Sequence, residues 1–343
     1  MPRLLQSVSI ARSQLIADQL RATVAAGKAG DIVFIGVQSE TSDDTNPTMA
    51  AVAIVASESD TANLLAIGEL ELADTPDPES AADRLAIGLV AELRKRGVRF
   101  LQWATDHDSN LDPEPPHKDG DPQGMRHWRS CPRDWASRLG IDDGAVLEYL
   151  SLELADAPAT DGRDSLHASL QVAALEPIAG PVQDEFAELV GATYDQTLDC
   201  PELTGHRSAA QILEGYRSQS SYWPSGWHWV TESNNESPVG CLILAQHGAN
   251  QDGEVGEHLT DDMSPSPNHD NLAVELTYMG LTVQGRGRGL GRALVECAIS
   301  IARQQRAARM VLAVDQRNRA ATKLYHQAGF QFALREQLWF GSL

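Results

Sequence analysis

Residues 281–294 read Leu281-Thr-Val-Gln-Gly-Arg-Gly-Arg-Gly-Leu-Gly-Arg-Ala-Leu294. A strand pattern runs into Arg286-Gly-Arg-Gly-Leu-Gly291, and the helical face of Leu290, Leu294, Ala298 and Ile301 begins without a break. Glycine has no Cβ, so the backbone can turn through positive φ here and close tightly around a ligand. N–H groups at a helix start, where the dipole is positive, form a cradle suited to a pyrophosphate. Arg286, Arg288 and Arg292 add charge. The stretch is not a P-loop, since no Gly-Lys-Ser/Thr follows. It also fits a dinucleotide fingerprint poorly, lacking an acidic residue about 20 positions on in the expected context. A tight turn that merely lets the helix pack stays open on the loop alone.

The charge around this stretch is uneven. The 343-residue chain carries a net charge of −21, which argues against general nucleic-acid binding. Residues 161–285 hold 3 Lys and Arg against 19 Asp and Glu, whereas residues 286–335 hold 10 against 2. A basic island in an acidic chain suits one local anionic ligand, or is a solvated helix face. No apolar run approaches the ~18–20 residues of a membrane-spanning helix. Cys131, Cys200, Cys241 and Cys297 are scattered without a CxxC, so neither a disulfide framework nor a metal site is expected, and a cytoplasmic setting fits.

Working outward, the second half reads as strand 168–176, helices 181–195 and 207–219, strands 227–232, 239–246 and 272–283, helix 290–306, strand 310–314, helix 320–328 and strand 331–340. Residues 247–271 and 105–127 read as long loops. Shifting the second half by 209 residues lays Leu290–Arg306 on Ala81–Gly97 and Asp315 on Asp106. Leu294, Ala298 and Ala302 then meet Leu85, Leu89 and Leu93, the mark of a tandem duplication. The expected division is a first domain at 1–156, a linker at 157–166 and a second domain at 167–343.

Two motifs narrow the function. Arg286-x-x-Gly289-x-Gly291 between a strand and a helix resembles the acetyl-coenzyme A (acetyl-CoA) loop of the GNAT N-acetyltransferase superfamily. Asn318-Arg-Ala-Ala321-Thr-Lys-Leu-Tyr325-His-Gln-Ala-Gly329-Phe330 is similar to the superfamily's second signature at every fixed position. The resemblance spans roughly residues 168–343. It implies an α/β fold of two GNAT-like mixed-sheet domains in tandem, the first degenerate, an architecture similar to mycothiol synthase without implying its substrate. In the first half, the matching loop reads Asp77-Pro-Glu-Ser-Ala-Ala82, without glycine and with two acids, and the position matching Tyr325 falls near Ala136.

The resemblance also implies roles. The backbone of Leu281, Thr282 and Val283 pairs with the pantetheine arm, and the Leu281 N–H holds the thioester oxygen. The N–H groups of Arg286, Gly287, Arg288, Gly289, Leu290, Gly291 and Arg292 hold the pyrophosphate. Asn318 contacts the arm or shapes the site, and Tyr325, seven residues on along the same helix face, protonates the leaving thiolate. Glu275 is the candidate base, directly or through water, on a strand whose residues 275, 277, 279 and 281 are expected to share a face. His269 and Asp270 are alternatives, and an exposed or ion-paired glutamate is the plain reading. The expected activity is acetyl transfer from acetyl-CoA to a primary amine by direct attack in a ternary complex, without a metal, in a monomer or homodimer. A non-catalytic acyl-CoA sensor or scaffold, and O- or protein acylation, are the competing readings. Ser221–Trp229 either lines an acceptor pocket or packs.

Overall fold

The computed structural model describes residues 29–38, 49–58, 60–70, 75–107, 131–155, 170–175, 184–219, 221–232, 235–248 and 272–343, with a few single residues besides. The chain divides into two units: Met1–Leu147 with Arg335–Leu343, and Glu148–Leu334. The division thus falls before the expected linker and gives the chain's last strand largely to the first unit. Residues 158–166 of that linker, residues 108–127 and 249–271 of the two long loops, and His269 and Asp270 lie outside the described residues.

The first unit contains β1 (Ile32–Gln38), β2 (Met49–Glu58), β3 (Thr61–Glu69), α1 (Pro78–Lys95), β4 (Phe100–Asp106), α2 (Pro132–Leu139) and the start of β5 (Asp142–Glu153). Its strand order is β1-β2-β3-β4, then β11 (Gln331–Ser342). Strands β3 and β4 are parallel, whereas β11 runs antiparallel to β4 from Glu336 opposite Asp106 to Ser342 opposite Phe100. Helix α1 buries Ala81, Leu85, Leu89 and Leu93, the i, i+4 face read from the sequence. They share a core with Leu64, Leu101, Trp135 and Trp339.

The second unit contains the end of β5, then β6 (Leu170–Ala174), α3 (Asp184–Thr193), α4 (Ala209–Arg217), β7 (Tyr222–Glu232), β8 (Asn235–His247), β9 (Ala273–Leu281), α5 (Leu290–Gln304), β10 (Arg309–Asp315), α6 (Arg319–Gln327) and the start of β11. Its strand order is β5-β10-β9-β8-β7-β6. Strands β6 to β9 pair antiparallel in turn, and β9 pairs parallel with β10. On one face, Leu290, Leu294, Ala298 and Ala302 of α5 pack on Val274, Leu276, Met310 and Leu312. On the other, Phe186, Val190 and Leu213 of α3 and α4 pack on Trp227, Cys241 and Ile243. Local chemistry sets the helix ends. A Ser208–Gln211 capping box starts α4, and Gly329 at φ 101° follows α6.

Both units run β-β-β-α-β-α-β, from β1 to β5 and from β7 to β11. The 209-residue shift lays β4 on β10 and ends α1 at Lys95 where α5 ends at Gln304. The chain is a tandem of mixed α/β units, as the duplicated pattern predicts. The aromatic run of β7 packs: Trp227 is buried, and Phe186 meets the edge of Trp229 with ring centroids 5.0 Å apart.

Candidate functional site

Strand β9 carries an irregularity that the sequence does not announce. Tyr278 pairs with Ile243 and Leu276 with Leu244, which leaves Thr277 without a partner as a β-bulge. The extra residue reverses the alternation of faces. Val274 and Leu276 before the bulge, and Met279 and Leu281 after it, pack towards α5. Tyr278 packs on the cluster of α3 and α4, the face that Glu275 also takes. The expectation that residues 275, 277, 279 and 281 share one face is therefore corrected: Glu275 goes with Tyr278.

Beyond the bulge the sheet opens. Parallel pairing of β9 with β10 runs from Ala273–Arg309 to Leu276–Leu312 and stops, although the strands continue to Leu281 and Asp315. The Thr282 N–H donates to Val239 O of β8 at 2.9 Å. Backbone groups alternate along a strand, so the Leu281 N–H points to the opposite edge, the one that β10 has left. Such an open edge can take an added extended chain by backbone pairing.

The glycine-rich loop follows at this end of β9. Val283–Gly285 form a 3₁₀ turn, Gly287 has φ 71°, and Gly289 caps α5 at φ 80°. A Cβ added at Gly287 would meet nothing within 4 Å, so the space beside the loop is open there. Its internal hydrogen bonds end at Arg286 N–H to Val283 O and resume at Arg292 N–H to Gly289 O. The N–H groups between, at the start of α5, are those that a helix leaves for an outside acceptor.

The three arginines are engaged differently. The Arg286 side chain holds backbone carbonyls: Leu281 O at 3.0 Å, Thr193 O at 2.7 Å, Asp195 O at 2.6 Å and Gln196 O at 3.2 Å. It ties the end of α3 to the loop instead of standing free as phosphate charge. Arg288 pairs with Glu232 at 2.6 Å and Arg292 with Glu296 at 2.8 Å, both more than half exposed. In both pairs the arginine is the exposed member and the glutamate is largely covered.

Asn318 caps α6, its Oδ1 accepting from the Ala321 N–H at 3.2 Å. Tyr325 is 7% exposed and packs edge-on against Phe330. Burial, then the Asp199 charge, pushes its hydroxyl above the ordinary tyrosine value, so it stays protonated at neutral pH. That hydroxyl has no hydrogen-bond partner among the described residues.

Asp199 is a residue that the sequence reading missed. The Asp315 N–H donates to its carboxylate at 2.8 Å. Asp315 is itself held by Arg317, which also pairs with Glu202, and by the Cys200 N–H at 3.2 Å. Burial pushes the Asp199 carboxyl up. Around it stand Tyr216 of α4 and Tyr278 of β9, whose hydroxyls are raised by burial and then by neighbouring charges that include Asp199. The Tyr194 ring meets Tyr278 edge-on at 5.3 Å, and the Tyr278 hydroxyl shares a 2.8 Å hydrogen bond with Thr193. These residues come from four separate segments, and no local motif marks them. Glu275 faces Tyr216 and shares a hydrogen bond with His247 of β8.

No thiol in the unit is prepared as a nucleophile. Burial pushes Cys241 up to about 12 and Cys297 up to about 11, and raises Cys200 further.

In the first unit, the helix start that corresponds to the loop is closed by its own acid. Asp77 accepts from the Ser80 N–H at 3.0 Å with Pro78 in the first turn. Glu79 and Asp83 are taken up by Arg138. Ala136, at the position of Tyr325, is fully buried.

The site is thus a mixed sheet parted between two parallel strands, with a glycine-rich helix start at its mouth. Residues 194–330, which fall within the second of the two mixed α/β units, match the model of the Acetyltransferase (GNAT) family. No curated protein matches the chain in sequence. Among solved structures it is similar in fold to a glucosamine N-acetyltransferase region of a fungal multi-domain GH3 β-N-acetylglucosaminidase. That likeness has 12% identity, covers 97% of this chain and 37% of the other, and has a TM-score of 0.54. A tandem GNAT protein from the clavulanic acid biosynthesis pathway aligns at 13% identity over 96% and 95% of the two chains, TM-score 0.47. A GCN5-related N-acetyltransferase from Kribbella flavida aligns at 12% identity over 97% and 95%, TM-score 0.47.

Proposed function

We propose that the protein is an acyl-CoA-dependent N-acyltransferase that moves an acetyl group from acetyl-CoA to a primary amine by direct attack in a ternary complex. One observation carries the reading. The open edge of β9, from which β10 has parted, leads straight into the glycine-rich start of α5, and Tyr325, with its unpartnered hydroxyl, lies in the same apolar cluster as Leu281. An extended arm fits the edge and a pyrophosphate fits the cradle. When bound, acetyl-CoA supplies an activated acyl group as a thioester.

The chain's own residues do the rest. The Leu281 N–H is aimed at the open edge, where it can donate to a developing oxyanion. Thr282 and Val283 continue the backbone contact, and N–H groups from Gly287 to Gly291 hold phosphate oxygens. The exposed guanidinium groups of Arg288 and Arg292 can turn outward from Glu232 and Glu296 to add charge. Asn318 fixes the start of α6 and so the position of Tyr325, which delivers a proton to the departing sulfur. Glu275 takes the proton of the acceptor. The raised thiols of Cys200, Cys241 and Cys297 disfavour a cysteine acyl-enzyme.

The test is free-thiol release from acetyl-CoA across a panel of primary amines, peptides and amino sugars, with calorimetry alongside. The expected results are thiol release with at least one amine and one acetyl-CoA site per chain. Binding without thiol release would favour a sensor. Two equivalent sites would show that the first unit's helix start is not closed.

A further inference from the structure

His247 lies at the end of β8, and its Nε2 is 2.6 Å from Glu275 Oε2. The strand register accounts for the contact. Ala245 stands opposite Glu275, so His247, two residues on, is its diagonal neighbour on the same face. The bulge at Thr277 decides which face this is. It sets Glu275 on the face that carries Tyr278 and Tyr216, away from the packing of α5. The Glu275 side chain is 32% exposed and that of His247 46%, so the pair runs outward from the site to solvent.

The groups that face the pair are few. From β9 there is Glu275 itself, and from α4 there is Tyr216, on which Glu275, Asp199 and Arg207 act. From β7, Tyr222 stands opposite Ala245. Among the described residues, none of these offers a second neutral base beside Glu275. Imidazole is the side chain suited to passing protons near neutral pH.

Resting on the N-acyltransferase reading, we propose that Glu275 and His247 form one proton relay, in which Glu275 faces the acceptor amine and His247 hands its proton to water. One N–H bond of the acceptor ammonium breaks. The proton bonds to the Glu275 carboxylate and leaves through the imidazole to solvent. The pair returns to its starting state and no co-reactant is consumed. His247 acts through Glu275 and does not touch the substrate.

The experiment compares wild type with His247→Gln, His247→Ala, Glu275→Gln and the double variant His247→Gln/Glu275→Gln. Thiol release from acetyl-CoA is followed over pH 6 to 9 with the amine panel and with water alone as acceptor. Gln can still donate a hydrogen bond to Glu275 but cannot carry a proton. His247→Gln and His247→Ala should both lower kcat roughly 10- to 100-fold, the lower part of the range for a general base. Added imidazole should restore part of the His247→Ala rate. The double variant should be no slower than Glu275→Gln alone, because the two residues act as a unit. Acetyl-CoA affinity should be unchanged throughout. His247→Gln at the wild-type rate, additive losses, or absence of imidazole rescue would overturn the relay while leaving the acyltransferase reading standing. If the wild type releases no thiol with any acceptor, both fall.

Discussion

Phenylalanine in place of Tyr325 keeps the ring and its edge-on contact with Phe330, so the Tyr325→Phe variant should fold and bind acetyl-CoA as the wild type does. Its kcat should fall about 10²–10⁴-fold, the contribution of a placed proton donor. A loss of acetyl-CoA affinity in proportion would make the hydroxyl a binding group instead. Arg286 calls for a different measurement. Its guanidinium serves four carbonyls, and hydrogen bonds to a charged group contribute roughly 1.5–3 kcal/mol. Arg286→Met should lower the unfolding free energy from urea titration by about that much, whereas a residue that only supplied charge would leave it unmoved. Asp315 sets a pH limit. Burial alone would raise its carboxyl, but hydrogen bonds from the Arg317 side chain and from the Arg317 and Cys200 N–H groups outweigh this and leave it below the ordinary 3.8. The unfolded chain therefore binds this proton more readily than the folded one. The stabilisation is complete above about pH 4 and is lost as pH falls through the lower folded value. Urea midpoints should show Asp315→Asn less stable than wild type at pH 7, with the gap narrowing below pH 4.

Element by element, the loop between β9 and α5 is the decisive piece, and Gly289→Asp probes it. Gly289 sits at φ 80°, a conformation that costs a side chain about 1–2 kcal/mol, which a folded unit can absorb. A carboxylate at the start of α5 would occupy the anion cradle, much as Asp77 does at the start of α1. Calorimetry should then detect no acetyl-CoA binding, with circular dichroism unchanged. Retained affinity would reduce the loop to a packing turn. This loop, the helix that follows it, the helix of the second motif and nearly every strand of the second unit were legible in the sequence, because glycine conformation and apolar periodicity are local. The bulge at Thr277 was not, since alternation is assumed until a partner strand reveals a skipped residue. Nor were Asp199, Tyr216, Tyr278 and His247 legible as neighbours of Glu275, because tertiary structure alone gathers them. Arg286 was legible as a charge but not as a tie between carbonyls.

At the scale of the whole molecule, Trp339 tests the division of the chain. It is 3% exposed in the core of the first unit, and its indole N–H donates to Thr105 Oγ1 at 2.9 Å. Trp339→Ala should cost about 3–5 kcal/mol. Hydrogen exchange should show the loss at α1 and β4, far away in sequence. Had the chain been divided cleanly at the expected linker, the loss would appear in the second unit. A fragment ending at residue 156 should likewise be unstable, because it lacks the strand beside β4.

That last strand also fixes an order in time. A ribosome releases the first unit's residues early, yet β4 must wait for Glu336 to Ser342 before its edge is covered. During synthesis the nascent first unit exposes an unpaired edge, a surface prone to wrong partners. It can close only after more than 200 further residues have been made, when Glu336 to Ser342 arrive. Here the first unit takes in β11, so without Glu336 to Ser342 the part of the chain made first would be left with an uncovered strand.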